Sequence, residues 1–186
     1  DDETKDNNSQ GDAELNGAVF ELFNENDEKI EEKEIIDNTL EFDNLKIGHY
    51  YIKEKTPGIG YYLNNNKYEF IVDKDNLNHE ITVENKVIKS KVKITKYYGT
   101  KIDFENNTMT KEKDIRFSIY DKSDNLVFIG ITDDNGTIEL NLPYGSYKLV
   151  QDTTTEGYKK VDDYYFEINE DNNISYDIVL NDFKIE

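Results

Sequence analysis

One stretch of sequence, residues 45–61, occurs a second time at residues 142–158. Six positions of the two copies correspond at a constant separation of 97 residues: Leu45 and Leu142, Gly48 and Gly145, Tyr50 and Tyr147, Glu54 and Gln151, Gly60 and Gly157, Tyr61 and Tyr158. Solenoid repeats are roughly 20 to 50 residues long, whereas a separation of this size matches a small independent domain. The sequence therefore predicts two tandem domains, at residues 1–88 and 89–186.

The repeated stretch contains a strand that carries a carboxylate on its apolar face. In the first copy, Tyr50 and Ile52 share one face, and Glu54 follows two positions later. Since side chains alternate along a strand, Glu54 is expected to point inward, where a carboxylate is unusual. Glu54 is therefore a candidate site residue.

Charge and composition exclude several classes of function. A net charge of -19 opposes binding to nucleic acid, which requires a cationic surface. Cysteine is absent, which excludes disulfides and thiolate chemistry. No apolar run approaches the roughly 20 residues that span a bilayer. The acidic clusters lack the spacing of a calcium loop, and His49 and His79 are isolated, so we predict no metal site and no cofactor.

Short strands separated by turns rich in Asn, Asp and Gly are predicted throughout, and no long helix is expected. The expected strands of the first copy cover residues 18–22, 29–36, 40–42, 49–54, 67–72 and 80–87. The expected strands of the second copy cover residues 92–96, 115–119, 126–132, 136–140, 147–151, 163–168 and 174–180, with a hairpin turn at 133–136. This pattern predicts an all-β fold of two tandem β-sandwich domains.

The two copies differ at their beginnings. The second copy opens with a strand that carries Val92, Ile94 and Lys96 on one face, and a polar loop at residues 105–113 follows. The first copy begins at Asp1 without such a strand. We therefore expect the first domain to lack its opening strand in this sequence.

The order of these features resembles a known family. Val92-Lys-Ile-Thr-Lys96 is followed by a loop, a Phe-x-Ile strand, an Asp-Asn-Gly turn, Leu-x-x-Gly-x-Tyr, a Gly-Tyr turn and a last strand ending in Asn. This order resembles the B-type repeat of the collagen adhesin and is similar to the SpaA-type pilin modules of Gram-positive surface proteins. The resemblance covers nearly the whole chain and implies two immunoglobulin-like (prealbumin-like) sandwiches.

The resemblance also implies a self-directed reaction. In such modules an intramolecular isopeptide bond joins a lysine of the first strand to an Asn or Asp of the last strand, and a buried Glu assists. Burial disfavours both the charged ammonium and the charged carboxyl, so a neutral amine can attack the acceptor carbonyl. The Glu polarises the acceptor and shuttles protons while ammonia or water leaves. Because this reaction occurs once per molecule, the chain is not expected to be an enzyme in the usual sense.

In the first copy, the resemblance assigns Glu54 as the acid and Asn85 as the acceptor. Ile81, Val83 and Asn85 share one inward face by parity. The nucleophilic lysine has no counterpart here, so this domain cannot close its bond internally as the sequence stands. The structural alternatives are that Glu54 lies in water at a bulged strand end and that Asn85 only ends a strand.

In the second copy, Lys96 matches the nucleophile, but Gln151 stands where the Glu is expected. An amide cannot donate or accept the shuttled proton, so Gln151 is predicted to be inactive as an acid. Two acceptors remain open, because Asn181 matches by residue type whereas parity places Asp182 on the core face. A buried Lys96–Asp182 ion pair fits the sequence as well as a covalent bond does, and Lys96 could also snorkel to solvent.

The resemblance implies structural stalk or spacer modules of a bacterial cell-surface adhesin or pilus subunit. Such a protein would be extracellular and attached to the cell wall through parts outside this sequence. It would be a monomer whose partners are the neighbouring domains of the same surface protein. The alternative is an adhesin module that contacts host matrix protein or glycan through exposed aromatic residues. Candidate patches for that contact are Tyr61-Tyr62, Tyr97-Tyr98 and Tyr164-Tyr165.

Overall fold

The chain forms two compact units, of which the first ends at Ile88 and the second runs from Lys89 to Glu186. The structure, a computed structural model, describes residues 10–186. The expected absence of an opening strand in the first domain concerns residues 1–9, so it lies outside the described residues. No helix within residues 10–186 is long and apolar enough to cross a membrane.

Unit 1 contains one antiparallel sheet with the strand order β2-β1-β3-β4. Its strands are β1 (Val19–Asn24), β2 (Lys29–Glu34), β3 (Gly48–Thr56) and β4 (Tyr68–Val72). The sheet buries Ala18, Phe20, Leu22 and Ile52 on one face, as the alternation predicts. Ile81 and Val83 pack against this cluster from the segment that follows β4. The core of unit 1 therefore lies between its sheet and a largely irregular layer.

Two strands predicted in unit 1 are absent from the described residues. Residues 40–42 form no ladder, and left-handed backbone at Asp37, Asn38 and Asn44 interrupts the extended chain on both sides of them. Residues 80–87 contribute only an isolated bridge between Tyr61 and Val87. A strand needs the backbone of a neighbour for its hydrogen bonds, and no strand within residues 10–88 lies alongside this segment. Both predictions were therefore wrong for the part of unit 1 that the structure describes.

Unit 2 packs two sheets against each other. Its strands are β5 (Lys89–Gly99), β6 (Thr110–Lys111), β7 (Arg116–Asp121), β8 (Leu126–Ile131), β9 (Thr137–Pro143), β10 (Gly145–Gln151), β11 (Tyr158–Lys159), β12 (Tyr164–Ile168) and β13 (Ser175–Lys184). One sheet has the order β12-β10-β7-β8, and the other has the order β11-β13-β5-β6, with β9 also paired to β5. One turn of α-helix, α1 (Lys101–Glu105), follows β5, and a 3-10 turn at Glu170–Asn172 precedes β13. The predicted all-β class is confirmed.

The first and last strands of unit 2 lie side by side. β5 and β13 pair in parallel over nine positions, from Ser175 opposite Lys91 to Phe183 opposite Gly99. Val92, Ile94 and Ile178 point from these strands into the core, where they meet Phe117 and Leu149 of the facing sheet. This parallel pair joins the first strand of the unit to the last one, with Lys89 and Lys184 at opposite ends of the pair. It also aligns the polar residues of both strands at one end of the core.

The predicted turn at residues 133–136 exists, but it does not form a hairpin. Gly136 N donates to Asp133 O over 2.8 Å, which closes the turn. The flanking strands belong to different sheets, since β8 pairs with β7 whereas β9 pairs with β5. The hairpin prediction was wrong because Asp-Asn-Gly specifies a tight reversal and not the partner of the strand that follows it.

Candidate functional site

Lys96 lies at the centre of a buried polar cluster in unit 2. It follows Val92 and Ile94 along the inward face of β5, and its side chain is 0% exposed. Its ammonium donates to three oxygens, namely Tyr97 O at 2.9 Å, Glu112 Oε2 at 2.7 Å and Asp182 Oδ1 at 2.9 Å. Every proton of the ammonium has a partner, which is what a buried charge requires. The alternative that Lys96 snorkels into solvent does not describe this structure.

Asp182 receives hydrogen bonds on both carboxylate oxygens. It lies on β13 directly beside β5 and is 0% exposed. Besides Lys96, Val161 N donates to Oδ1 at 3.1 Å, while Gln151 Nε2 and Thr154 Oγ1 donate to Oδ2 at 2.6 and 2.7 Å. These donors polarise the carboxyl group and fix its orientation toward Lys96. Of the two acceptors left open by the sequence, the structure places Asp182 beside Lys96, whereas Asn181 is only half-buried and alternates away from the core.

Gln151 occupies the position in unit 2 that Glu54 occupies in unit 1, and it is fully hydrogen-bonded. Its Nε2 donates to Asp182 Oδ2 and to Thr153 O, and its Oε1 accepts from Val161 N at 3.2 Å. A neutral amide held in this way orients and polarises its neighbour but moves no proton. The buried site therefore has an amide where the resemblance expects an acid.

Sequence reasoning missed Glu112, which is 1% exposed and contacts the Lys96 ammonium. It follows β6 in a segment that reads as a polar loop, because Thr110 and Lys111 form a strand of only two residues. So short a strand gives no alternation from which an inward carboxylate could be recognised. The only indication was indirect, since a lysine predicted to lie in the core needs compensating charge.

The backbone holds Glu112 opposite Lys96. Glu112 N donates to Lys96 O at 2.9 Å, and Lys96 N donates to Gly136 O at 2.8 Å. Thr132, which is buried, donates its hydroxyl to Glu112 O at 2.8 Å. A Cβ on Gly136 would lie 2.7 Å from Lys96 O and 3.1 Å from Glu112 N, so only glycine fits here. The turn at residues 133–136 therefore sets the distance between Glu112 and the lysine.

Unit 1 contains a smaller buried cluster around Glu54 and Asn85, which are 5% and 3% exposed. Asn64 contacts both segments, since its N–H donates to Glu54 Oε2 at 2.7 Å and its side-chain amide donates to the carbonyl of Glu84, the residue before Asn85, at 2.9 Å. Among residues 10–186, Glu54 Oε1 and Asn85 Oδ1 are buried without a hydrogen-bond partner. Burial raises the pKa of Glu54 above its ordinary value of 4.5, and the Asn64 N–H only partly opposes this shift.

The alternatives that the sequence left open for unit 1 are tested by burial. A register irregularity lies where β1 pairs with β3, between Val19 and Phe20, and Glu54 is the partner of Phe20. Glu54 is nevertheless buried, so it is not a solvated residue at a bulged strand end. Asn85 lies outside any strand of the described residues.

The aromatic pairs considered for ligand binding do not behave alike. Tyr61 is buried, whereas Tyr165 is 72% exposed. Tyr98 is half-buried and makes an edge contact with Tyr158, with ring centroids 4.9 Å apart. Within residues 10–186, no group of three or more His, Asp or Glu side chains is arranged to hold a metal ion.

One protein family matches the sequence twice. The SpaA family, described as a prealbumin-like fold domain, matches residues 3–87 and again residues 92–182. Comparison with curated proteins gives no match.

Two solved structures show the same fold. The chain is similar to the Bacillus anthracis TIE protein, with 26% identity and a TM-score of 0.74 over 92% of this chain; it spans 31% of that protein. It is also similar to the C-terminal fragment of the pilus adhesin SpaC from Lactobacillus rhamnosus GG, with 11% identity and a TM-score of 0.55 over 91% of this chain and 90% of the fragment. The second likeness supports the fold alone.

These matches confirm the resemblance inferred from the sequence and the prealbumin-like sandwich that it implied. The modules of this family are structural and not enzymatic. Since the two matched segments cover most of the sequence, the chain belongs to the SpaA prealbumin-like fold domain family, with one domain in residues 3–87 and a second in residues 92–182.

Proposed function

We propose that the chain is a pair of structural spacer modules of a bacterial cell-surface adhesin or pilus subunit, and that unit 2 is locked by an amide bond between Lys96 and Asp182. The surface location and the attachment to the cell wall through other parts of the protein belong to this proposal. Support comes from the family, and from the likeness in fold to a fragment of a pilus adhesin.

The contact between Lys96 and Asp182 carries the proposal for unit 2. The amine nitrogen lies 2.9 Å from a carboxylate oxygen, and both side chains are completely buried. A bond between two groups held in this way has little entropy left to lose, so it forms with a high effective concentration. An ion pair alone is a weak explanation for such a cluster, because desolvation of two charges commonly outweighs their attraction.

The two strands that would be joined are the first and the last of the unit. Lys96 and Asp182 are 86 positions apart in the sequence, yet they lie on adjacent parallel strands. An amide between them therefore closes a loop that contains nearly the whole domain. Such a link suits a module that spaces other parts of a surface protein under tension.

In unit 1, we propose that Glu54 and Asn85 are the acid and the acceptor of the corresponding reaction with a lysine. The two unpartnered buried oxygens support this role, since each lacks the hydrogen-bond donor that a lysine ammonium would supply. The raised pKa of Glu54 suits a carboxyl group that must be protonated part of the time.

Intact-mass spectrometry of the chain tests the proposal. Closure between Lys96 and Asp182 removes one water from the expected mass, whereas closure on an asparagine removes one ammonia. Peptide mapping should then recover a branched peptide that joins β5 to β13. Lys96→Ala should restore the full mass, and Lys93→Ala, an exposed lysine of the same strand, should not. A wild-type chain at its full calculated mass would refute the bond in unit 2.

A further inference from the structure

We propose that Glu112 is the catalytic proton carrier of unit 2 and that Gln151 polarises the acceptor. The acid of unit 2 would then lie after β6 and not on β10. This inference rests on the proposed Lys96–Asp182 bond. It assigns Glu112, which lies after β6, the role that the family resemblance places at the position of Gln151 on β10.

Distance identifies Glu112 as the proton carrier. Its Oε2 lies 2.7 Å from the Lys96 amine, so it touches the nucleophile directly. Its Oε1 accepts only a long hydrogen bond of 3.3 Å from Thr155 N. One carboxylate oxygen therefore faces the reacting nitrogen, while the rest of the group is loosely held and free to exchange a proton.

The distribution of donors identifies Asp182 as the electrophile, although both carboxylates touch the lysine. Asp182 accepts from Val161 N, Gln151 Nε2 and Thr154 Oγ1 in addition to Lys96. Two of these donors converge on Oδ2 and are placed to stabilise the negative charge that develops there during attack. Glu112 has no comparable set of donors.

The remaining oxygen of Asp182 is placed to leave. Its Oδ1 lies 2.9 Å from the Lys96 amine, and the same amine lies 2.7 Å from Glu112 Oε2. Glu112 can therefore take protons from the amine beside the oxygen that leaves. In the reaction, a bond forms between Lys96 Nζ and Asp182 Cγ, and the bond between Cγ and Oδ1 breaks. The ammonium loses two protons, Glu112 carries them to Oδ1, and one water leaves. Glu112 ends in the ionised state in which it began, and no other reactant is needed.

The test is the rate at which freshly refolded protein loses one water, followed by intact mass. Glu112→Gln keeps the size of the side chain and an oxygen that can accept from Lys96, but it cannot carry a proton. General acid–base groups contribute about 10²- to 10⁴-fold, so we expect Glu112→Gln to fold and to lose water at least about 100-fold more slowly. Glu167→Gln, an exposed carboxylate of β12, is the matched control, and it should lose water at the wild-type rate.

Each outcome decides the question. A folded Glu112→Gln variant that closes at the wild-type rate overturns the inference, and so does a branched peptide that joins Lys96 to Glu112. If Glu112→Gln does not fold, Glu112→Asp decides: slower water loss by about 10-fold or more supports the role, and an unchanged rate refutes it. The pH profile of the rate separates catalysis from simple charge pairing, because a proton carrier adds a titration to the rate that Glu112→Gln should remove. Profiles of the same shape in the wild type and in Glu112→Gln would refute the role. If the wild-type chain loses no water, the proposed bond itself fails, which is a different result from closure that does not need Glu112.

Discussion

Replacement of Lys96 by methionine should destabilise unit 2 by an amount close to its whole stability. Methionine is similar in length and apolar, so the main changes are loss of the amide bond and the return of Asp182 to a buried carboxyl group. A loop of the 86 positions between Lys96 and Asp182 contributes roughly 4 to 5 kcal/mol when it is closed, by the chain-entropy relation established for disulfides. The variant also leaves Glu112 and Asp182 buried without a counter-charge, which costs about 3 to 5 kcal/mol.

These two contributions can be separated with a second variant. Lys96→Met combined with Glu112→Gln and Asp182→Asn removes the bond and the buried charges together, while an amide oxygen remains for Gln151 and Thr154. Its loss should be close to the loop-closure part alone. At roughly 4 to 8 °C per kcal/mol for a domain of this size, the melting temperature of unit 2 should fall by about 20 °C or more.

Differential scanning calorimetry of the whole chain is the assay, because unit 1 provides an internal reference in the same sample. The unit 1 transition should stay in place in every variant. Lys93→Met, on the exposed face of the same strand, should change stability by less than about 0.5 kcal/mol. If the triple variant melts as high as the wild type, loop closure does not stabilise unit 2 and the reasoning from the buried cluster is wrong.

Three further predictions concern pH, the glycine turn and mechanical force. The pKa of Glu54 is higher in the folded than in the unfolded state, so its protonation stabilises unit 1 below the unfolded-state pKa, and this stability is lost as the pH rises through the folded-state pKa. Glu54→Gln should remove this dependence of the unfolding free energy on pH. Glu69→Gln, at an exposed carboxylate of β4, should leave it unchanged. Gly136→Ala should destabilise unit 2 by about 1 to 3 kcal/mol and slow the loss of water, because the added Cβ would meet the backbone of Lys96. Gly157 also has a positive φ, but a Cβ there would have no atom within 4 Å, so Gly157→Ala should cost only the backbone strain of about 1 kcal/mol. In single-molecule pulling, the triple variant Lys96→Met with Glu112→Gln and Asp182→Asn should add an unfolding step of roughly 300 Å that the wild type lacks, because closure keeps about 86 residues from extending.

Fold class and most core positions could be predicted because they depend on alternation. Phe20 and Leu22 in unit 1, and Phe117 and Ile119 in unit 2, lie in the core where a period of two places them. Alternation does not identify the partner of a strand. The segment at residues 80–87 has the pattern of a strand, but within the described residues it has no neighbour to pair with.

Only part of the candidate site could be predicted from the sequence, because alternation orients residues only along strands of several residues. Lys96 and Asp182 lie on long strands, so parity could orient them. Glu112 follows a strand of two residues, and its inward direction comes from hydrogen bonds to Lys96 O and from Thr132. Those contacts join residues distant in the sequence, and no local pattern encodes them.

The position of the proposed bond within the parallel pair determines which residues of unit 2 would bear force. Tension applied through the two ends of the unit enters β5 at Lys89 and β13 near Lys184, which are opposite ends of two strands that run in the same direction. The strands are therefore loaded in shear. An amide between Lys96 and Asp182 takes the load directly across the pair, so only residues 89–96 and the few that follow Asp182 lie in the path of the force. Everything between them, including both sheets of the core, is enclosed in the closed loop. Burial of a lysine and an aspartate carries a desolvation cost that their attraction commonly does not outweigh. A bond at this position would give the pair a mechanical role, because it would keep nearly all of the domain from extending.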